Sequence, residues 1–187
     1  MSAPLVVVSA GTYHLPFNRL VDWMEPWVKT NDGVHVIMQH GPSRELPGAE
    51  NHDILPYAAL LELCALAQAI VLQGGAGGVM DMRQLRRIPI VVPRVPVDDE
   101  VVDNHQLLFT ERAAELNTIT RATTKEQLWH SLDAALAGTL QTYAALSEET
   151  PGVANLAVAL AEVPPPLGAV DRLRRLSRTS LDLAARR

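Results

Sequence analysis

An α/β fold, a parallel sheet with helices on both faces, is predicted by two features of the chain. Short β-branched runs alternate with stretches of helical periodicity up to about residue 136, and the runs are apolar at successive rather than alternate positions. Strands buried on both sides need that pattern, and such strands belong to parallel sheets.

The first run, Leu5-Val6-Val7-Val8-Ser9, closes at Ala10-Gly11-Thr12. A helix is expected from about Pro16, because Phe17, Leu20, Val21, Met24 and Trp27 recur at helical spacing and proline suits a first turn. Asn31-Asp32-Gly33 signals a turn, and residues 34–39 a second strand. Ile54 is the expected start of a short third strand, with an apolar helix after Pro56-Tyr57. Residues 69–72 form a strand that runs into Gln73-Gly74-Gly75-Ala76-Gly77-Gly78. Beyond it the spacing predicts helix over 79–87, strand over 88–92, helix over 102–115 and a last strand over 116–120. Thr123-Thr124-Lys125-Glu126 reads as a helix start, with Leu128, Leu132, Ala135 and Leu136 facing inward.

A chain of 187 residues with 48% hydrophobic content can build a core without cross-links. The lone cysteine, Cys64, lies in an apolar helical run and reads as a small buried hydrophobe. It has no partner to oxidise with, and no signal peptide or membrane-spanning run is recognisable, so a cytoplasmic location is expected. The net charge of -5 offers no field for nucleic acid. Six arginines against two aspartates in residues 171–187 leave -9 on everything before them. The expected division is a domain over 1–148 and a helical extension over 149–187, the latter holding the Pro164-Pro165-Pro166 spacer and a basic amphipathic helix over about 168–185.

Ligands of parallel sheets bind outside the carboxyl ends of the strands, and three loops lie there: 11–16, 73–78 and 93–105. Gly74, Gly75, Gly77 and Gly78 let a strand-to-helix turn approach a ligand closely, and the helix start supplies free N–H groups and a positive dipole end. A diphosphate is the guest expected there. The spacing fits neither the dinucleotide fingerprint, since Met80 stands where the third glycine belongs, nor a P-loop, since no Gly-Lys-Ser/Thr follows. Asp81, expected to open the next helix, is placed to accept hydrogen bonds from a ribose; compensating the helix dipole is its plainer role. In the third loop a strand delivers Arg94, Glu100 is part of an acidic segment, and His105-Gln106 form a polar pair of the kind that binds sugar hydroxyls.

Three strings, Val8 to Leu20, Gln73 to Asp81 and Pro89 to Gln106, occur in the order found in glycosyltransferase family 28 C-terminal domains, which the chain resembles over about residues 5–136. Within that family it resembles the stand-alone donor-binding subunits of bacterial exopolysaccharide transferases, which are similar to the small subunit of the two-part enzyme that forms dolichol-linked chitobiose. The resemblance implies one Rossmann-like half of a GT-B fold that binds a UDP-sugar as substrate and needs no cofactor or metal. It implies that Gly11 and Thr12 approach the phosphates, that Gly74, Gly75, Ala76, Gly77 and Gly78 face the diphosphate, that Asp81 holds the ribose, and that His105 and Gln106 lie near the donor sugar. Arg94 and Glu100 are grouped with this donor-sugar set. Gln73, Gly78, Asp81, Val101 and Tyr13 stand where the family commonly has His, Ser or Thr, Glu, His and His.

The activity implied is inverting transfer of a hexose or N-acetylhexosamine to a lipid-linked or polysaccharide-precursor acceptor. The acceptor site and the catalytic base come from a partner subunit, normally membrane-anchored, which would hold the chain peripherally at the inner face of the membrane. His14 is the reserve base within this chain. The Arg-rich helix is expected to dock on that partner, with an anionic membrane surface and the chain's own domain as alternatives. Two other readings stay open: a non-catalytic UDP-sugar-binding or scaffold subunit, and a single-chain transferase for a soluble small molecule. Oligomeric state is open too, homo-oligomers included.

Overall fold

A computed structural model describes residues 3–140. The expected extension over 149–187, with its proline spacer and basic helix, lies outside the described residues. Six strands form one all-parallel sheet: β1 (Leu5–Ser9), β2 (His35–Gln39), β3 (Glu50–His52), β4 (Ala69–Gln73), β5 (Ile90–Val92) and β6 (Thr120–Arg121). The helices are α1 (Asn18–Thr30), α2 (Tyr57–Leu66), α3 (Ala76–Gln84), α4 (His105–Glu115) and α5 (Lys125–Leu136), with a short 3-10 turn at Val97–Asp99. Strand order is β3-β2-β1-β4-β5-β6, so the chain winds outward from β1 to one edge, returns, and winds outward from β4 to the other. Between β1 and β4 successive connections leave in opposite directions, and this reversal opens a crevice at the carboxyl edge.

The doubly apolar strands divide their side chains between two cores. Val6, Val8, Val36, Met38, Val71, Ile90 and Val92 pack against α1, its N-cap Phe17 and α5; Phe17 and the helix residues Leu20, Met24, Trp27, Leu128 and Leu132 are all buried. Val7, Ile70, Leu72 and Val91 face the other way, against Cys64 of α2, Val79 and Met82 of α3 and Ala113 of α4. Each fully buried aliphatic side chain stabilises the fold by roughly 1.5–3 kcal/mol. Helices α1 and α5 are also tied by Trp27 Nε1, which donates to Asp133 Oδ1 at 2.9 Å, and by Trp129 Nε1, which donates to the Trp23 carbonyl at 2.7 Å. Thr124 caps α5 by accepting from the Gln127 N–H at 3.3 Å.

Four boundaries differ from the sequence reading. The third strand is Glu50–His52 rather than a run from Ile54: it is a polar edge strand paired only with β2, so no apolar signal marks it. Ile54 is instead exposed. The glycine-rich helix starts at Ala76, three residues early, so Gly77 and Gly78 lie inside its first turn and Asp81 in its second. Helix α4 starts at His105, because Glu100 and Val101 are drawn into the preceding loop and buried there. The last strand begins at Thr120, with Asn117 in a left-handed turn before it.

Cys64 is fully buried, and burial pushes its thiol up to about 11. Native chain should therefore resist a disulfide-exchange reagent at pH 8, with labelling that tracks unfolding; immediate labelling of folded chain would refute this placement.

Candidate functional site

The crevice is built from the ends of β1 and β4. After Ser9 the chain turns at Gly11, whose φ of +82° is a left-handed conformation that favours glycine. After Gln73 it turns at Gly74-Gly75 into α3, with Gly75 as N-cap. The two turns adjoin: a Cβ added to Gly11 would lie 3.1 Å from Gln73 Cγ, and one added to Gly75 would lie 2.2 Å from Gln73 Nε2. The Gln73 side chain thus occupies the gap between them. Its Oε1 is buried and has no hydrogen-bond partner among the described residues.

The glycines divide by role. Gly74 is there for packing, since a Cβ would come within 2.9 Å of Gln106 Oε1 and 3.0 Å of Thr110 Cγ2 on α4. Gly77 has open space where a Cβ would go, and Gly78 only an ordinary contact. The first-turn N–H groups of Ala76, Gly77 and Gly78 have no partner within a helix that begins there. Beneath the first turn, Gln39 Nε2 donates to Ser9 Oγ at 3.0 Å, and a Cβ on Gly41 would meet the Gly11 carbonyl oxygen at 2.6 Å. Sequence reasoning missed Gly41, Gln39 and the inward turn of Gln73. Only the position of Gln73 as the last residue of its strand could have flagged one of them.

The other expected residues fall into three groups. Thr12 and His14 are exposed on the β1–α1 loop, the His14 ring 4.4 Å from that of Tyr13. Asp81 is half-buried in the second turn of α3, where its carboxylate accepts the Tyr57 hydroxyl at 2.8 Å and holds that phenol above its ordinary pKa. His105 is exposed at the start of α4, its ring against the Asp103 carboxylate; the His105 main-chain N–H also donates to that carboxylate at 2.9 Å and holds it below the usual range.

Arg94 and Glu100 are placed differently from side chains offered to a ligand. Arg94 is 0% exposed: its Nη1 donates to the carbonyls of Leu15, Pro16 and Glu100 and its Nη2 to that of Ala10, at 2.8–3.2 Å. Burial pulls its pKa down. Glu100, 2% exposed, accepts from Arg19 Nε and Nη2 at 2.8 Å each and from the Val95 N–H at 3.0 Å. Gln106 is buried, and its Oε1 accepts the Arg94 N–H at 3.0 Å, which leaves the Nε2 donors as the end it can offer outward.

Among the described residues no three His, Cys, Asp or Glu side chains converge as a metal site would require, and no helix is long and apolar enough to cross a membrane.

Three solved structures share this fold. The kitacinnamycin glycosyltransferase matches at a TM-score of 0.53 and 21% identity, over 74% of this chain and 35% of its own. The solution structure of ALG13 matches at 0.52 and 18%, over 83% of this chain and 94% of its own. CalG4, the calicheamicin glycosyltransferase, matches at 0.51 and 17%, over 87% of this chain and 45% of its own. The chain therefore spans less than half of two of these proteins and nearly all of the third. No curated protein sequence matches significantly. The sheet, with helices on both faces, is a Rossmann-like half of the GT-B glycosyltransferase fold. The sequence profile of the glycosyltransferase family 28 C-terminal domain matches residues 5–160, and the chain belongs to that family.

Proposed function

We propose that the chain is the donor-binding subunit of an inverting glycosyltransferase that uses a UDP-sugar. The observation that carries this reading is the meeting of the Gly11 turn and the Gly75-capped start of α3 at the crevice between β1 and β4. A diphosphate at the rim would receive the free N–H groups of Ala76, Gly77 and Gly78 and the positive end of α3. Gln73 would either meet it or swing aside, and moving it breaks no hydrogen bond of Oε1.

In the reaction an acceptor hydroxyl attacks the anomeric carbon, the bond from that carbon to the β-phosphate oxygen breaks, and its electron pair leaves on UDP. Charge grows on the diphosphate as this happens, so fixed N–H donors help more in the transition state than before it. The hydroxyl proton goes to a base on the partner that carries the acceptor site, with His14 in reserve. Gln106 Nε2 and His105 remain as donor-sugar contacts, and Asp81 as the ribose contact. A two-part arrangement fits the family 28 C-terminal domain and the likeness to ALG13.

Titration with UDP, UDP-sugars, TDP-sugars and NAD tests the nucleotide assignment. UDP at one hundred times its dissociation constant should stabilise the chain by about 2.7 kcal/mol, while NAD should not. Equal stabilisation by NAD, or none by any uridine nucleotide, would refute it. The burial of Arg94 and Glu100 also favours a second reading, a binding subunit without catalysis, since it removes two charged groups from the pocket. Loss of UDP-sugar turnover in the assembled complex on Gln106→Ala would decide for catalysis.

A further inference from the structure

We infer that Arg94 and Glu100, both buried, and the partly exposed Arg19 form a clamp that positions the first donor-binding loop against the third, making them positioning residues rather than sugar ligands. The functional half of this inference rests on the donor-binding reading above; the structural half does not.

The β1–α1 loop has no regular structure between Ala10 and Phe17, yet its carbonyls must be satisfied where they are buried. Three of them, those of Ala10, Leu15 and Pro16, are held by one guanidinium that arrives from the end of β5. The same guanidinium holds the carbonyl of Glu100 in the third loop. The Glu100 carboxylate reaches back to Arg19 on α1, whose Nη2 also donates to the Pro93 carbonyl at 2.8 Å. Arg19 and Arg94 both lie beside the buried Phe17 ring, 5.3 and 4.8 Å from its centre. The Arg94 N–H donates to Gln106 Oε1, the atom against which Gly74 is packed. One polar network thus runs from the first loop through the third to the glycine turn.

Only arginine suits the central position. Its planar fork reaches carbonyls on two sides at once, whereas a lysine ammonium is a point donor on a flexible stem. Among the described residues no carboxylate is hydrogen-bonded to the Arg94 guanidinium, which is held under the loops by carbonyl dipoles with the Glu100 carboxylate near enough to favour its charge.

The test compares wild type with Arg94→Lys and Arg19→Met by UDP titration calorimetry and by amide exchange, well below the unfolding temperature. Arg19 is partly exposed, so its variant decides the matter if Arg94→Lys does not fold. Each variant should bind UDP about tenfold or more weakly and exchange the Ala10, Gly11 and Phe17 amides, which are hydrogen-bonded at the two ends of the loop, about tenfold faster, with the α2 amides unchanged. A purely structural arginine would lower global stability without singling out this loop. Wild-type affinity and wild-type exchange in a folded variant would overturn the clamp. If wild type itself fails to bind UDP, the donor reading falls, and the exchange of the loop amides still decides whether the clamp exists.

Discussion

Gly77→Asp should leave the chain folded, at or slightly above wild-type stability, and lower its affinity for UDP by about 100-fold. The two effects have opposite signs because they arise at the same helix end. Gly77 is the second residue of α3, without a left-handed φ and with open space around its missing Cβ, so a side chain meets nothing there. Aspartate is a better helix residue than glycine, and its charge suits a helix N-terminus; together these are worth about 0.5–1 kcal/mol. A diphosphate bound to the same N–H groups would face that carboxylate at close range. Like charges about 4 Å apart at an effective dielectric near 20 repel by about 4 kcal/mol, and solvent screening of a rim position reduces this to roughly 2.7, or 100-fold. Calorimetric titration with UDP and a thermal melt measure both quantities. Unchanged affinity in a folded variant would remove the diphosphate from α3.

Gly41→Ala should lower the melting temperature of the full chain by about 5–15 °C and weaken UDP binding as well, although Gly41 belongs to none of the three expected ligand loops. Its φ of +56° is already costly for alanine, and the new Cβ would lie 2.6 Å from the Gly11 carbonyl oxygen, a main-chain atom that cannot swing aside. Gly41 cannot retreat readily either. Its N–H donates to the Asp53 carbonyl at 3.0 Å, and His40 Nδ1 donates to its carbonyl at 2.8 Å. A cost of about 2–4 kcal/mol follows, with the Gly11 turn as the part that must move. Gly77→Ala, where the space is open, is the control and should be neutral or mildly stabilising. A melt unchanged by Gly41→Ala would mean that the two glycine turns do not touch as described.

Much of the fold was legible before the structure. The residues at helical spacing from Phe17 to Trp27 are all buried against one face of the sheet, and the valine-rich run Leu5–Ser9 is one of its two central strands. What escaped were elements whose cause is not local. Glu50–His52 is a strand because β2 offers its edge, which no apolar pattern announces. Gly77 and Gly78 are poor helix formers, yet they lie in the first turn of α3 because Val79 and Met82 are packed into the sheet behind them. The site divides the same way. The glycine cluster marked the turn, but Arg94 and Glu100, which sequence order puts beside the ligand edge, are buried and bound to main-chain groups and to Arg19.

The sequence by itself determined a doubly covered parallel sheet, the three loops at its carboxyl edge and the resemblance to its family, because runs of apolar residues and glycine spacing are local and survive without a partner. Which strands adjoin, which glycine serves packing and which faces open space, and which charged side chains are held by the chain itself were decided only in the tertiary structure. Those outcomes depend on atoms brought together from far apart in the chain: 84 residues separate Arg94 from Ala10, and 106 separate Trp27 from Asp133.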